Sequence, residues 1–285
     1  MRSTPPIPAE TVFAPRLAAR RPLFCLAAGL LATVVGRATE KTLPPTLAEA
    51  WQTLSVGSYS EASDQFAATA KSREAQLGLA IAQLNRPPLT PSSLDEAQRQ
   101  LQLLAQGDDA TSHAARYFLG RLQQLHPMAP DPATAADTYQ RLVATGADDT
   151  WCRLALVKLA ILRLAALPAP GDTAAQLAAV EPLLAHTADV ATQRDLHLVI
   201  AEARLTREIY NPVTLGHLRS ALASTAESDP MRPDLLIQIG RLATLLGDRA
   251  TAKAHYEQFL HDYPKERRAF TVTAAVAHLG GRFPP

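Results

Sequence analysis

The segment PDLLIQIGRLATLLGDRATAKAHYEQFLHDYP, residues 233–264, constrains the fold more than any other part of the chain. Leu236, Ile239, Gly240 and Ala243 recur at helical spacing and form one apolar face. Gly240 and Ala243 are small, so a second helix can approach closely along that face. Gly247-Asp248 interrupts the helix, because glycine tolerates the left-handed conformation at a helix C-terminus and aspartate caps the N-terminus that follows. Ala252, Tyr256 and Phe259 define the face of a second helix, which Pro264 ends. The segment therefore predicts a helix-turn-helix hairpin with a small-to-large packing scheme. A lone hairpin of this kind cannot bury its apolar face and needs stacked neighbours.

The rest of the chain offers such neighbours. In residues 47–70, Trp51 and Leu54 precede Gly57, Tyr59, Glu61, Ala62 and Phe66, and Gly57, Ala62 and Phe66 keep the spacing of Gly247, Ala252 and Tyr256. Residues 72–106 carry Leu77, Gly78 and Ala82, then a Pro-rich insert (Pro87, Pro88, Pro91). A second helix is expected to begin there at Ser93, with Glu96 completing a capping box, and to carry Ala97, Leu101 and Leu104. Residues 112–146 place Tyr117, Leu119 and Gly120 on a first helix. Asp131-Pro132 opens the second, with Ala135, Tyr139 and Leu142. Residues 151–211 keep the pattern least. Trp151 to Leu167 reads as one apolar helix ended by Pro168 and Pro170, and Asp172 as the cap of a helix that Pro182 kinks or shortens. Gln193 to Ile209 reads as a further helix, and Asn211-Pro212 as the start of another. Residues 265–279 complete the series as an end helix before Gly280-Gly281.

Composition agrees with helices throughout. Ala and Leu dominate, aromatics are 5% and glycines number 13. Ala and Leu lose little side-chain freedom in a helix, and β-branched runs bounded by turn signals are nearly missing. The expected class is all-α, and an irregular Ala/Leu-rich bundle is the competing arrangement.

The 233–264 unit resembles the tetratricopeptide repeat, whose period is about 34 residues. Gly240, Gly247, Ala252, Tyr256, Phe259 and Pro264 all stand at the family's positions. The resemblance implies a right-handed α-solenoid over residues 43–285, with about six hairpins and a C-terminal capping helix. It also implies a concave groove, lined by the first helix of each hairpin, that holds a peptide or a partner helix. The groove-facing positions are then Tyr117, Arg121 and Gln124 in the third unit, and Ile237, Arg241 and Thr244 in the sixth. Arg121 and Arg241 each follow the small packing glycine, so they are expected to point into the groove from equivalent positions. A guanidinium fork there suits an acidic side chain or a C-terminal carboxylate.

The first forty residues read as an address. Residues 1–38 hold Arg2, Arg16, Arg20, Arg21 and Arg37 against Glu10 alone, and residues 22–36, PLFCLAAGLLATVVG, are uncharged. A basic region, a short apolar region and small residues before Ala38 make a signal peptide, or, if uncleaved, an N-terminal membrane anchor. Either places residues 43–285 outside the cytoplasm. The run from Ala252 to Pro264 is also similar to repeats of bacterial envelope assembly and cell-division accessory proteins. The expectation is thus a protein-binding scaffold of the cell envelope, exported or tethered through residues 22–36. The alternative is a helical regulatory subunit or domain of an envelope enzyme complex.

No catalytic signature is legible. The sequence lacks a Gly-rich phosphate loop, His-Glu-x-x-His, Gly-x-Ser-x-Gly and clustered Cys/His spacing. The eight histidines read as surface or packing residues, and Glu202, Arg204, Asp262 and Lys265 as solvated helix charges. Lys265, Arg267 and Arg268 form a short basic patch. The body of the chain has no basic stripe for phosphates, so nucleic acid is not an expected partner. Cys25 and Cys152 are the only cysteines. They exclude a disulfide framework, and Cys152, in an apolar helical run, reads as a buried inert thiol. No metal, cofactor or enzymatic activity is expected.

Overall fold

The structure, a computed structural model, describes residues 45–69, 71–126, 128–167 and 173–280. The expected leader, with Pro168, Pro170, Asp172 and Gly281, lies outside the described residues. Thirteen α-helices and one 3-10 turn make up the regular structure of those residues, with no strand among them.

The helices pair in chain order into hairpins: α1 (Pro45–Ser55) with α2 (Tyr59–Ala68), α3 (Arg73–Asn85) with α4 (Pro91–Leu104), α5 (Ala110–Leu125) with α6 (Pro132–Val143). The fourth joins α7 (Thr150–Ala165) to the short α8 (Thr173–Val180) and a 3-10 turn, Glu181–His186. The fifth pairs α9 (Val190–Thr206) with α10 (Pro212–Ala223), and the sixth α11 (Arg232–Leu245) with α12 (Arg249–Asp262). The end helix α13 (Ala269–Leu279) packs on α12. Each hairpin also packs on the next, so the described chain is an all-α solenoid of six stacked hairpins and a terminal helix.

The local signals act as their chemistry demands. Asp131, Asp248 and Asn211 each accept a hydrogen bond from the amide three residues on, at 3.0 Å, satisfying one of the free N–H groups of the helix start. Gly247 has φ +76°, the left-handed conformation that ends α11 and turns the chain into α12. Pro182 falls inside the 3-10 turn just after α8, because an α-helix cannot continue through a residue without an N–H. Some boundaries differ from expectation: α9 runs Val190–Thr206 rather than from Gln193 to Ile209, α13 starts at Ala269 rather than at 265, and α4 starts at Pro91, with Thr90 as N-cap and Ser93 closing the capping box in place of Ser93 and Glu96. Threonine caps as serine does, and Pro91 is pre-organised for the first helical position.

The expected small-to-large packing is present atom for atom. A methyl added at Gly240 would lie 2.3 Å from the Tyr256 ring, at Gly120 2.7 Å from Tyr139, and at Gly78 2.3 Å from Phe66. The first two pairs join the helices of one hairpin, while the third joins α3 to the preceding hairpin. Phe66, Tyr139 and Phe259 are fully buried. The buried side chains divide at α9: one cluster runs from Leu47 to Ile200 and the other from Ala201 to Val272.

Candidate functional site

Among the first helices of the last three complete hairpins, α7 packs on α9, whereas α11 packs on α10 and on its own α12. Between α7, α9 and α11 lies a groove of about 650 Å³. Its floor and walls are apolar, with Ile161 and Leu164 from α7, Leu198 and Val199 from α9, and Leu235 from α11. It lies where the core divides. Glu202, exposed on α9, places a carboxylate on the wall, and Asp234 is paired to Arg268 at 2.5 Å. Arg207 also lines the groove, but its guanidinium is spent on backbone carbonyls of Leu164 and Ala203 and on Gln176.

The groove positions expected from sequence divide into buried and accessible ones. Tyr117 and Ile237 are buried, not groove-facing. Tyr117 packs its ring against Phe118, Tyr139 and Trp151, because α5 is covered by α7 as well as by its own α6. Ile237 lines a cavity of about 70 Å³ under α13, together with Arg241, Tyr256 and Val272. Arg241 therefore faces the end helix, while Arg121, half-buried on α5, stands by Tyr117, Tyr139 and Lys158. The two arginines do not line one pocket. Gln124 is half-buried near the Tyr139 hydroxyl, at 3.5 Å, and the Thr244 hydroxyl donates to the Gly240 carbonyl of its own helix at 2.8 Å.

Lys158 is the residue at this end that sequence reasoning missed. It sits one turn before Ile161 on α7, and burial, then the nearby Arg121 charge, holds its pKa below the ordinary lysine value. Among the described residues neither Lys158 nor Arg121 has an acidic partner within ion-pair distance. Two cations thus share one end of the first-helix face with their charge uncompensated.

A second feature runs along the hairpin starts. Asp109, Asp149, Asp189 and Asp229 are spaced by 40 residues, as are Arg73, His113 and Arg153. Each of the three reaches the aspartate that begins the next hairpin, Arg73 to Asp109, His113 to Asp149 and Arg153 to Asp189 at 3.1 Å, and Arg194, one residue off the spacing, reaches Asp229 at 3.0 Å. Asp109, Asp149 and Asp189 also cap their own helices through the amides of Ser112, Cys152 and Thr192. The exact spacing was visible in the sequence, but it has meaning only once stacked hairpins put residues 36 apart side by side.

Other polar residues correct the reading of solvated charges. Arg204 is buried and donates to Thr214 and Glu181 at 3.1 and 3.3 Å. Arg268 is held by Asp234 and Glu266, so it does not belong to a free basic patch. His197 and His217, far apart in sequence, meet with their Nδ1 atoms 2.9 Å apart. Burial keeps both below the ordinary histidine pKa, and for His217 the neighbouring His197 adds to the effect.

No protein-family model matches the chain, and no curated protein matches it. Among solved structures, the crystal structure of the APC/C hetero-tetramer Cut9-Hcn1 is similar, with 16% sequence identity and a TM-score of 0.46. The match covers 87% of this chain and 45% of that one, so the chain spans less than half the length of the structure it matches. Among the described residues no helix is long and apolar enough to cross a membrane.

Proposed function

We propose that the chain is a protein-binding scaffold whose groove between α7, α9 and α11 receives an amphipathic helix of a partner protein. The observation that carries this reading is the apolar lining of the groove by first helices, where half-buried Ile161, Leu198 and Val199 have no covering element among the described residues. Grooves of this kind take side chains spaced at i, i+3 and i+4 from a partner helix. Arg121 and Lys158, at one end of the same face, supply the site for an acidic side chain or C-terminal carboxylate. Glu202 favours a basic residue further along. Arg241 and Thr244, beside the end helix, extend the face beyond the groove.

The leader supports a place of action outside the cytoplasm, with residues 1–38 as export signal or tether and the scaffold in the cell envelope. Mass spectrometry of the native N-terminus tests this, since a cytoplasmic protein starting at Met1 excludes export.

The groove is tested by affinity capture from envelope extract with the full chain and with Val199→Asp and Lys158→Ala. A charge at the centre of an apolar contact removes a hot spot, about 2 kcal/mol or roughly 30-fold in affinity. Val199→Asp should lose the stoichiometric partner while keeping wild-type helicity, and Lys158→Ala should weaken it. Equal recovery by all three proteins rejects the groove.

A further inference from the structure

Two steps of the hairpin-start ladder are built from the same three parts, and the step between them keeps the positions but changes two of the residues. Between hairpins two and three the parts are Arg73, Asp109 and Ser112, whose hydroxyl bonds both Asp109 and Arg73 at 2.9 Å. Between hairpins four and five they are Arg153, Asp189 and Thr192, whose hydroxyl donates to Asp189 at 2.7 Å. Between hairpins three and four they are His113, Asp149 and Cys152. At this step a permanently charged arginine gives way to imidazole, and a hydroxyl gives way to a thiol. Neither replacement improves an ion pair. Together they convert an Arg–Asp–hydroxyl step into three residues that all bind transition metals.

The geometry agrees with that chemistry. One ligand atom each from His113, Asp149 and Cys152 lies within 4.8 Å of the others. Zinc bonds of about 2.0–2.3 Å place tetrahedral ligand atoms roughly 3.3–3.8 Å apart, so small side-chain shifts suffice. Asp149 uses one oxygen to cap the Cys152 amide at 2.9 Å and turns the other to His113 Nδ1 at 2.5 Å. The cap can therefore persist while the second oxygen takes a metal. Asp108 stands 2.9 Å from His113 Nε2, where a carboxylate orients a ligating imidazole. Burial pushes the Cys152 thiol up to about 11, with Arg116 a minor opposing charge, so a bound metal has to displace the thiol proton itself. The His113 and Cys152 side chains are buried, but Asp149 is 30% and Asp108 80% exposed, which leaves a way in from solvent.

We propose that His113 Nδ1, Asp149 and Cys152 Sγ form a zinc-class metal site that clasps the third hairpin to the fourth. Imidazole, carboxylate and thiolate together select zinc over the oxygen-seeking magnesium and calcium. Three protein ligands leave the fourth position to water. The metal replaces the proton between Nδ1 and Asp149 and the thiol proton, both of which pass to solvent, while Nε2–H stays on Asp108. The site is independent of the groove, since none of its residues lines it.

The test uses the full chain, reduced, freed of metal with chelator, and titrated with Zn²⁺ or Co²⁺ alone. The wild type should bind one equivalent, unfold at a higher temperature with Zn²⁺, and show a sulfur-to-cobalt charge-transfer band. His113→Arg/Cys152→Ser rebuilds the step its neighbours already use, so it should fold normally and show neither effect. Asp108→Asn should lower Zn²⁺ affinity about 10–100-fold. Cys25→Ser should keep the band. Absence of stoichiometric binding by the wild type, a band that survives Cys152→Ser, or a band lost in Cys25→Ser overturns the site.

Discussion

Gly240→Ala should destabilise the sixth hairpin by about 2 kcal/mol, although alanine is the better helix former. The new methyl would stand 2.3, 2.6 and 2.7 Å from three atoms of the Tyr256 ring. Carbon atoms prefer about 3.5–4.0 Å, so ring and helix must separate by roughly an ångström or more. Tyr256 is 4% exposed and packs in the same cluster as Leu236, Ile239 and Phe259, so it cannot swing aside without opening the core. Overpacking of this kind costs about 1–3 kcal/mol, and contact with three ring atoms argues for the upper end. The helix propensity gained is about 0.8–1 kcal/mol. Gly216 supplies the control. It lies on α10, and a methyl there meets nothing within 4 Å, so only the propensity gain applies. Gly216→Ala should stabilise by about 0.8–1 kcal/mol. Urea unfolding followed by far-ultraviolet circular dichroism gives both values. A neutral or stabilising Gly240→Ala would refute the close-packing argument, and Gly240→Ala with Tyr256→Leu should recover part of the loss.

Further outcomes are expected elsewhere. Burial lowers the pKa values of half-buried His197 and buried His217 in the folded chain, whereas the unfolded chain takes up protons near about pH 6.5. Their contribution is therefore complete above that pH and falls away as pH drops through the lowered folded values. Thermal midpoints between about pH 7 and 5 should fall for the wild type and change less for His217→Gln. Burial alone would raise the pKa of Asp189, but the Thr192 hydroxyl and amide and Arg153 outweigh it and hold it below the ordinary value. Its contribution is present above the unfolded value near about pH 3.9 and is lost as pH falls through the folded one. Asp189→Ala should cost about 1–2 kcal/mol in urea unfolding at neutral pH, through the lost cap of α9.

Much of the fold was legible because its signals act within a single hairpin. Gly247 and Asp248 end one helix and start the next through their own backbone requirements. Gly240 and Tyr256 meet because a fixed turn brings their helices together at a spacing the chain itself sets. Asn211 caps the next helix start and Pro182 ends an α-helix for equally local reasons.

The candidate sites were less legible, because they join residues of different hairpins. Tyr117 and Ile237 occupy positions that helical periodicity leaves outside the hairpin's own stripe, but a neighbouring helix covers each. Lys158 became notable only beside Arg121, and His113 only beside Asp149 and Cys152. The amino-acid sequence by itself determined most helices, several caps and the small-to-large contacts inside the third and sixth hairpins, since these depend on neighbours along the chain. Tertiary structure alone decided where the hairpins part to leave the groove and which charges face one another across the stack. That outcome follows from the rotation between successive hairpins, a sum of packing contacts that no short run of residues encodes.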